Sequence, residues 1–464
     1  MKNSLDNPIP AHWPPDFVAR MTQWLGDEAD AFFTALARRD YGLRLNPQRG
    51  PLATLKAQLP WAVEPIPWCP EGVWLQEAAE IGADVYHTAG VFYSQDPSAM
   101  AAAVLLDPQP GEWVLDIAAA PGGKTTHIAA RMQGRGVLVA NEVVRRRVAV
   151  LAMNIERMGV TNAMIVNETP ERLAARWPGL FDAVLVDAPC SGEGTFSRDS
   201  QAIRDWSLAT VQGNAHRQRT IMEQAAALVR HGGRLLYGTC TFAPEEDEGV
   251  IAAFLAQHPD FELADLPPLP GLSPGRPEWI DAPDDLRRVG RFWPHTGPGH
   301  GHFYALLRRK GEPSDDLPER WEGQRLPGRV LRLYQKTLGD ILREAPPEAG
   351  LTLAKDDTLY ITPMAPHLWE GLHILRPGWW VASLRHDKVN PDHALAMALR
   401  PEEVQSSVRL TRDDARLAPY LSGGFWLDDH QDGFVLVTVA GFPLGWAKSD
   451  GDKVRSRYPV HLRR

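Results

Sequence analysis

The segment DIAAAPGGKTT, residues 116–126, carries the clearest structural signal in this chain. It follows the apolar run WVL and contains Gly123-Lys124-Thr125, the second half of the phosphate-binding pattern G-x-x-x-x-G-K-S/T. The first glycine of that pattern would fall at Ala118. Because that glycine lets the backbone turn tightly around a phosphate, its absence argues against a triphosphate site. We therefore expect a cofactor loop of another kind, placed between a strand and a helix.

Short apolar runs alternate with helical periodicity from about residue 104 to residue 310. Runs such as GVLVANE and FDAVLVDAP lack polar alternation, which is typical of parallel strands covered by helices on both faces. The sequence therefore predicts an α/β, doubly wound sheet, closed by the strands FELADL and HFYALLRR. Residues 1–60 predict amphipathic helices, and WAVEPIPWCPEGVWL after them predicts short strands and turns.

The chain has 464 residues, which predicts two to four domains. Changes in pattern place a small N-terminal domain at 1–87 and the doubly wound domain at 88–310. A linker, rich in polar residues, proline and glycine, and an intermediate α+β domain follow at 311–375. Short strands near the end predict a β-rich domain at 376–464.

Composition and charge narrow the class of protein. A hydrophobic fraction of 44% and a charged fraction of 23% are typical of a globular chain. Because the net charge is −9, the chain as a whole does not attract nucleic acid, and any such contact must come from local basic patches. Three cysteines exclude a disulfide framework, lack the spacing of a zinc site and fit a reducing compartment. MKNSLDNPIPAHW has no apolar signal core, and AMAAAVLL is too short to span a membrane. We expect a cytoplasmic protein without a membrane partner.

Two acidic residues stand where a doubly wound fold holds a nucleoside. Asp116 ends the first strand, and Glu142 ends the next one, where a carboxylate accepts hydrogen bonds from ribose hydroxyls. With the loop 118–124, they predict a nucleoside cofactor that needs no triphosphate. Two alternatives stay open. Glu142 caps the following helix, or AVLVDAP supplies the magnesium-binding aspartate of a P-loop ATPase.

Two of the cysteines follow predicted strands of this sheet. Cys190 lies in DAPCSGEG and Cys240 lies in YGTCTFAPEEDE, both among proline, glycine and hydroxyl residues. Because ligands bind at the carboxyl ends of such strands, we expect both thiols to face the cofactor crevice. Cys69 has no such setting, and we expect it to be a small buried hydrophobe.

The segments DIAAAPGGKT, VLVDAPCSGEG and YGTCTFAPEEDEGVI resemble the motifs of the Nol/Nop/Sun family of RNA 5-methylcytosine methyltransferases. The resemblance covers about residues 88–310, and RLNPQR is similar to the family's N-terminal Arg-x-Asn motif. RFWPHTGPGHGHF and PLGWAKSDGDKVRSRYP resemble the bacterial RsmF-like subgroup, which methylates small-subunit ribosomal RNA. The resemblance implies S-adenosylmethionine as cofactor, no metal, and 16S ribosomal RNA or the small ribosomal subunit as partner.

The resemblance also implies how the thiols act. A thiolate adds to carbon 6 of cytosine, carbon 5 then attacks the methyl sulfonium, and loss of the carbon 5 proton expels the thiolate. Cys240 would be the nucleophile, and Cys190 would assist release of the methylated RNA. The reverse assignment stays open, because DNA cytosine methyltransferases attack from a Pro-Cys position.

Further site residues follow from the resemblance. Asp187 would contact the cytosine edge or the cofactor, and Lys124 would point into the same pocket. Thr169 stands near the position of an aspartate that the family often places beside the adenine. Glu142 would bind the ribose. The methionine and ribose side of the cofactor would be lined by Ala118, Ala119, Ala120, Pro121, Gly122, Gly123 and Lys124.

The target cytosine must be unpaired or flipped out of its stack. Basic stretches at 38–49 and 329–343 and near the C-terminus are candidate RNA contacts, although a solvated face is the alternative for each. The resemblance implies RNA-binding domains at 1–87 and 376–464, the second of the PUA kind. A transfer RNA substrate and a non-catalytic RNA-binding scaffold are further alternatives, and no obligate protein partner is expected. The C-terminal cations are Lys453, Arg455, Arg457, Arg463 and Arg464.

Overall fold

The computed structural model describes residues 10, 12–77, 79–313, 318, 321–324, 326–354 and 356–463. Arg464 and most of the N-terminal segment MKNSLDNPIPAHW lie outside these residues. Within them, no helix is both long and apolar enough to cross a membrane.

The N-terminal part combines helices with an antiparallel sheet in the order β2-β3-β1-β4. The prediction of helices throughout 1–60 is wrong at β1, because GLRL buries side chains on both faces of this sheet and pairs with β3 and β4. The elements are α1 Pro15–Leu25, α2 Ala29–Leu36, β1 Gly42–Leu45, α3 Leu52–Gln58, β2 Val63–Ile66, β3 Cys69–Leu75, α4 Val85–Thr88 and β4 Phe92–Ser94.

The central domain carries the largest sheet. Its first half comprises α5 Ala101–Leu106, β5 Trp113–Asp116, α6 Gly123–Met132, β6 Val137–Asn141, α7 Arg145–Arg157, β7 Ala163–Val166 and α8 Pro170–Arg176. Its second half comprises β8 Phe181–Asp187, α9 Ser200–Asp205, α10 Leu208–Leu228, β9 Val229–Thr239, α11 Glu248–Gln257, β10 Phe261–Leu263, β11 Leu272–Pro274, β12 Gly290–Phe292 and β13 His302–Arg309.

Five strands run parallel in the order β9-β8-β5-β6-β7. Alternate residues pack into two different cores, with Leu115 and Val139 on one face of the sheet and Val114 and Leu138 on the other. This confirms the predicted doubly wound α/β fold. The closing strand β13 pairs antiparallel with β9, and β10 pairs antiparallel with β13. The strand order reverses at β5, with β6 and β7 on one side of it and β8 and β9 on the other. A crevice therefore opens at the carboxyl ends of these strands.

The C-terminal part contains two smaller sheets, ordered β14-β15-β17-β18 and β19-β21-β22-β23-β20. β16 instead pairs with β7, so the segment after β15 extends the central sheet. The elements are α12 Gly328–Gly339, β14 Leu351–Leu353, β15 Thr358–Ile361, β16 Ile374–Arg376, β17 Trp379–Arg385, β18 Lys388–Pro391, α13 His393–Ala398, β19 Ser407–Leu410, α14 Leu417–Leu421, β20 Phe425–Leu427, β21 Gly433–Val439, β22 Phe442–Ser449 and β23 Lys453–Ser456.

The last sheet and the N-terminal sheet share one hydrophobic core. Leu43 and Phe92 belong to the same cluster as Val437 and Leu444, and the ring of Tyr86 meets that of Phe442 edge to face, with their centroids 5.7 Å apart. Because this interface is apolar and continuous, removal of the last sheet would expose part of the N-terminal core. Point substitutions therefore suit functional tests of this region better than truncation.

Candidate active site

The carboxyl ends of β5, β8 and β9 lie side by side. Asp116 at the end of β5 is in register with Leu185 of β8, and Asp187 at the end of β8 is in register with Gly238 of β9. Cys240 follows β9 directly. The sheet thus brings the predicted cofactor loop, the predicted carboxylates and both loop cysteines to one edge.

The cofactor loop is fixed at both of its ends. Gly122 has a φ of 111°, a conformation that favours glycine, and it immediately precedes α6. Arg147 on α7 donates to the carbonyl of Ala120 at 2.6 Å, and Asn154 donates to that of Pro121 at 2.9 Å. In the first turn of α6, Thr125 Oγ1 donates to Asp116 Oδ2 at 2.6 Å. The loop from Ala118 to Lys124 therefore spans the gap between β5 and α6 in one defined shape.

The groups that a triphosphate loop would use are engaged elsewhere. Lys124 Nζ lies 2.6 Å from Asp187 Oδ1, and the hydroxyl of Thr125 is completely buried against Asp116. Burial works against the ammonium, but the Asp187 carboxylate outweighs burial and raises the pKa of Lys124. Burial also raises the pKa of Asp116 to about 7, despite the hydrogen bond from Thr125. Neither arrangement favours the P-loop alternative, in which the lysine binds phosphate and the hydroxyl binds magnesium.

Glu142 is buried at the end of β6. Its Oε1 accepts the amide of Val144 at 2.8 Å, directly before α7, which is the contact expected from the capping alternative. Its Oε2 lies 3.2 Å from Arg147 Nη1, but among the described residues it receives no hydrogen bond. One carboxylate oxygen thus holds the start of α7, and the other is open to a hydroxyl donor.

Thr169 is exposed and directly precedes α8, and its side chain does not cap that helix. Its neighbour Glu168 is buried, accepts the amide of His373 at 2.7 Å and pairs with Arg172 at 2.7 Å. Asn167 donates to the carbonyl of Glu142 at 2.6 Å, which joins the loop after β7 to the loop after β6. The structure therefore brings Thr169 to the same edge of the sheet but leaves its side chain at the surface.

The two loop thiols are in contact. The sulfur atoms of Cys190 and Cys240 lie 3.4 Å apart. The hydrogen bond from Cys190 lowers the pKa of Cys240 against the opposing effects of burial and of the Asp187 carboxylate, and the ammonium of Lys124 adds a smaller lowering effect. The same hydrogen bond, together with burial, raises the pKa of Cys190 well above its usual value. Within this pair the proton is favoured on Cys190 and the negative charge on Cys240.

The loops that carry these thiols are tied to each other. The Ser191 hydroxyl lies 2.7 Å from that of Thr241, and the amide of Gly194 donates to the Cys240 carbonyl at 2.9 Å. The buried Glu246 accepts the amide of Ser191 at 3.0 Å and the side-chain amide of Gln218 at 2.8 Å. Burial raises the pKa of Glu246 to about 8. This network fixes the position of one sulfur relative to the other.

A polar cluster beside the thiols was missed by the sequence analysis. Asp96 Oδ2 lies 2.6 Å from His300 Nδ1 and 3.3 Å from Arg198 Nη1. Arg198 is also close enough to Cys240 to help lower the pKa of that thiol. His300 lies in the motif-like segment RFWPHTGPGHGHF, but Asp96, Arg198 and His300 are about a hundred positions apart from one another in the chain. Their meeting cannot be read from spacing.

The predicted basic stretch 38–49 divides into two kinds of residue. Arg38 and Arg39 are exposed, whereas Arg44 is completely buried, donating to Gln95 at 3.0 Å and to Thr126 at 2.6 Å. The prediction of an RNA contact is therefore wrong for Arg44, because its guanidinium joins β1 to α6 inside the protein.

Other predicted positions have simpler settings. The half-buried Arg49 donates to backbone carbonyls of Ala89 and Arg157, so its guanidinium is also engaged in the structure. Cys69 is buried as predicted, lies 3.5 Å from Glu71 Oε2, and has its pKa raised to about 12 by burial. The basic stretch 329–343 lies mostly in α12, which ends at Gly339 and buries Val330, Tyr334 and Leu338 on one side.

Comparisons with known proteins agree with this architecture. The family described as 16S rRNA methyltransferase RsmB/F matches residues 103–308. Three family descriptions specific to RsmF match the flanking parts: its N-terminal domain at 13–97, its first C-terminal domain at 338–399 and its PUA domain at 407–464.

Full-length relatives are similar over most of their length. Ribosomal RNA small subunit methyltransferase F of Escherichia coli strain SE11 is 33% identical over 436 residues, covering 88% of this chain and 86% of that protein. The protein of the same name from Enterobacter sp. strain 638 is 31% identical over 478 residues, covering 97% and 96%.

Solved structures share the fold. A methyltransferase homologue from Pyrococcus horikoshii has a TM-score of 0.55 at 29% identity, covering 64% of this chain and 96% of that one. NSun6 from the same organism, solved with SFG, has a TM-score of 0.56 at 22% identity over 64% and 99% of the chains, and it supports the fold alone. On the matched domains and the full-length relatives, this chain belongs to the RsmB/F family of 16S rRNA methyltransferases.

Proposed function

We propose that this chain transfers a methyl group from S-adenosylmethionine to carbon 5 of a cytosine in 16S ribosomal RNA, with Cys240 as the nucleophile that adds to carbon 6. The observation that carries the proposal is the thiol pair, whose sulfur atoms lie 3.4 Å apart and whose pKa values are shifted in opposite directions. A thiolate beside a second, protonated thiol suits a reaction that needs a nucleophile first and a group for release afterwards.

The residues at the sheet edge fit the cofactor. S-adenosylmethionine, when bound, supplies the electrophilic methyl group. The buried Glu142 Oε2, which receives no hydrogen bond among the described residues, is a ready acceptor for a ribose hydroxyl. The loop from Ala118 to Lys124 would line the methionine and ribose side. Thr169, exposed at the start of α8, would lie toward the adenine.

The attack uses the charges around Cys240. Its thiolate adds to carbon 6, and the electron pair of the double bond becomes available at carbon 5. Asp187, about one-third exposed at the end of β8, would hold the polar edge of the base, with its carboxylate fixed by Lys124 at 2.6 Å. Fixed charges of this kind stabilise a developing anion because they need no rearrangement during the reaction.

Release requires a base. Once carbon 5 carries the methyl group, its proton leaves, the electron pair restores the ring double bond, and the bond between carbon 6 and sulfur breaks. Cys190 is placed for this step, because its sulfur lies 3.4 Å from that of Cys240. Once the Cys240 sulfur is bonded to carbon, it no longer takes the hydrogen bond that holds the proton on Cys190; Cys190 then loses that proton to solvent, and its thiolate accepts the proton from carbon 5.

The proposed substrate rests on the relatives and the PUA match. Relatives that this chain matches over most of its length are named small-subunit ribosomal RNA methyltransferases, and residues 407–464 match an RsmF PUA domain. The target cytosine must leave its stack to reach Cys240. Nothing in the described residues favours transfer RNA over ribosomal RNA.

Bisulfite sequencing of both RNA pools tests the function. In a deletion strain, methylation should disappear at one or more cytosines of 16S ribosomal RNA, while transfer RNA keeps its pattern. Complementation with the natural chain should restore the mark, and complementation with Cys240→Ala should not. Loss confined to transfer RNA, or no loss in either pool, would overturn the proposal.

A further inference from the structure

The outer face of the last sheet carries a row in which two basic side chains lie between two aromatic ones. Phe434 on β21 is paired with Lys448 on β22, Lys448 with Arg455 on β23, and Arg455 with Phe425 on β20. Directly paired residues project from the same face of a sheet, so these four side chains lie next to one another. We name them the aromatic–basic row; it crosses three strand spacings and is about 14 Å wide.

The row is open to solvent toward β20, whereas Phe434 at its other end is half-buried beside Trp446. Phe425 is 51% exposed, and Leu427, two residues along the same strand, is 76% exposed. The residues that alternate with the row, Trp426 and Val454 among them, are buried on the opposite face in the core shared with the N-terminal sheet. An exposed phenylalanine and leucine on one edge strand are not needed for that core, so they are available to a partner.

Cations surround the exposed rings. Lys453 Nζ lies 3.3 Å from the centre of the Phe425 ring, and Lys448 Nζ lies 5.8 Å from that of Phe434. Among the described residues, Asp450 forms an ion pair with Arg455 of the row at 3.3 Å, and both side chains are more than half exposed. Such an exposed pair is weak, so Arg455 remains available to another anion.

The remainder of the same face is already covered. Leu436 and Trp446, which lie further along β21 and β22, are buried in a core with Leu338 of α12 and Val381 of β17. The row is therefore bounded on one side by the intermediate domain and reaches the free edge of the sheet at β20. A ligand on it would lie across the strands, from Phe434 to Phe425.

We propose that the aromatic–basic row is a docking surface for a single-stranded segment of the substrate RNA, with bases stacked on Phe425 and Phe434 and phosphates paired with Lys448 and Arg455. The inference rests on the proposed function. Aromatic rings next to cations are the arrangement that binds single-stranded nucleic acid with little sequence preference. In the free protein Lys453 covers the Phe425 ring; a stacked base displaces its ammonium toward a phosphate.

Fluorescence anisotropy with the full chain and a labelled single-stranded oligouridine of about twelve nucleotides, within the site size of such surfaces, tests the row. The double variant Phe425→Ala/Phe434→Ala should bind about tenfold or more weakly with little change in salt dependence, because stacking carries no charge. The double variant Lys448→Gln/Arg455→Gln should bind more weakly and lower the slope of log K against log salt by about 1.4, since each lost phosphate contact on a single strand contributes about 0.7.

Matched controls separate the row from general surface effects. Arg409→Gln removes an exposed cation from β19 at the other edge of the same sheet, and Val460→Ala trims a side chain that is 75% exposed outside the row. Both should bind oligouridine as the natural chain does. Thermal melting should show that every variant is folded, and S-adenosylmethionine binding, which the row does not touch, should be unchanged in all variants.

The possible results of these experiments test the aromatic–basic row separately from the proposed function. Row variants that bind oligouridine normally, or that weaken no more than the controls, overturn the row even if the chain methylates ribosomal RNA. Weaker binding in the row variants supports the row even if bisulfite sequencing finds no ribosomal cytosine that depends on this chain. If oligouridine binding is unaffected but cross-linking from position 425 captures a ribosomal protein, the surface is a protein-docking site and the RNA assignment is wrong.

Discussion

Cys190 and Cys240 follow neighbouring parallel strands, and their sulfur atoms lie 3.4 Å apart. The contact makes the two thiols chemically different, because the hydrogen bond from Cys190 lowers the pKa of Cys240 and raises its own. Lys124 adds to the difference, since its ammonium favours the thiolate at Cys240. This difference between the thiols is what the proposed nucleophilic role of Cys240 requires.

The first prediction is selective alkylation. Iodoacetamide should modify Cys240 before Cys190, and Cys69 should react last because burial raises the pKa of that thiol to about 12. Lys124→Met removes the charge that favours the thiolate, so the alkylation rate of Cys240 should rise only at higher pH than in the natural chain. Peptide mass spectrometry over a range of pH measures both effects. Equal rates for Cys190 and Cys240 would contradict the assignment of the proton to Cys190.

The second prediction concerns the cofactor. Glu142→Ala should weaken S-adenosylmethionine binding by roughly 1.5–3 kcal/mol, as expected for a lost hydrogen bond to a charged group. Glu171→Ala, at an exposed position on α8, is the matched control and should leave affinity unchanged. Titration calorimetry gives both values. Binding of ATP with magnesium but not of S-adenosylmethionine would favour the P-loop alternative.

The sheet and its closing strands could be predicted because short apolar runs without polar alternation, separated by helical segments, are typical of buried parallel strands. β1 could not, since GLRL is short, carries an arginine and becomes a strand only through its pairing with β3 and β4. The same cause explains the error at Arg44, whose partners Gln95 and Thr126 lie 51 and 82 positions away in the chain. A buried arginine and a surface arginine look alike in a sequence.

The candidate site shows the same limit. Motif-like segments pointed to the loop 118–124, Asp187 and the two thiols, because each lies at or just beyond the carboxyl end of a strand. The cluster of Asp96, Arg198 and His300 forms through contacts between segments that are distant in the chain, so no local sequence pattern predicts it. The pairing of β16 with β7 was also beyond prediction, since it joins a segment after the linker to the edge of the central sheet.

The third prediction concerns pH and stability. Burial raises the pKa of Glu246 to about 8, from 4.5. As pH rises from about 4.5 to about 8, the unfolded chain loses this proton while the folded chain keeps it, so stability falls across that window. Glu246→Gln cannot titrate and still offers an oxygen to Ser191 and Gln218. Thermal melting across the window should therefore show the natural chain losing stability relative to the variant; a constant difference would contradict the shift.

The fourth prediction separates a structural arginine from surface ones. Arg44→Met should lower the free energy of unfolding by about 1–3 kcal/mol, because Gln95 and Thr126 are left buried without that donor. Arg39→Gln, at an exposed position in the same stretch, should change it by less than about 0.5 kcal/mol. Urea denaturation measures both. Equal effects would mean that the buried contacts of Arg44 contribute little to stability.

The most direct test of the account is the fate of the covalent bond between protein and RNA. With S-adenosylmethionine and ribosomal RNA present, Cys190→Ala should attack and transfer the methyl group but fail to release, so a conjugate should accumulate that survives denaturing electrophoresis. Cys240→Ala should form no conjugate and no product, because addition to carbon 6 needs its thiolate. A conjugate that accumulates in Cys240→Ala and is absent in Cys190→Ala would contradict the account and reverse the roles of the two thiols.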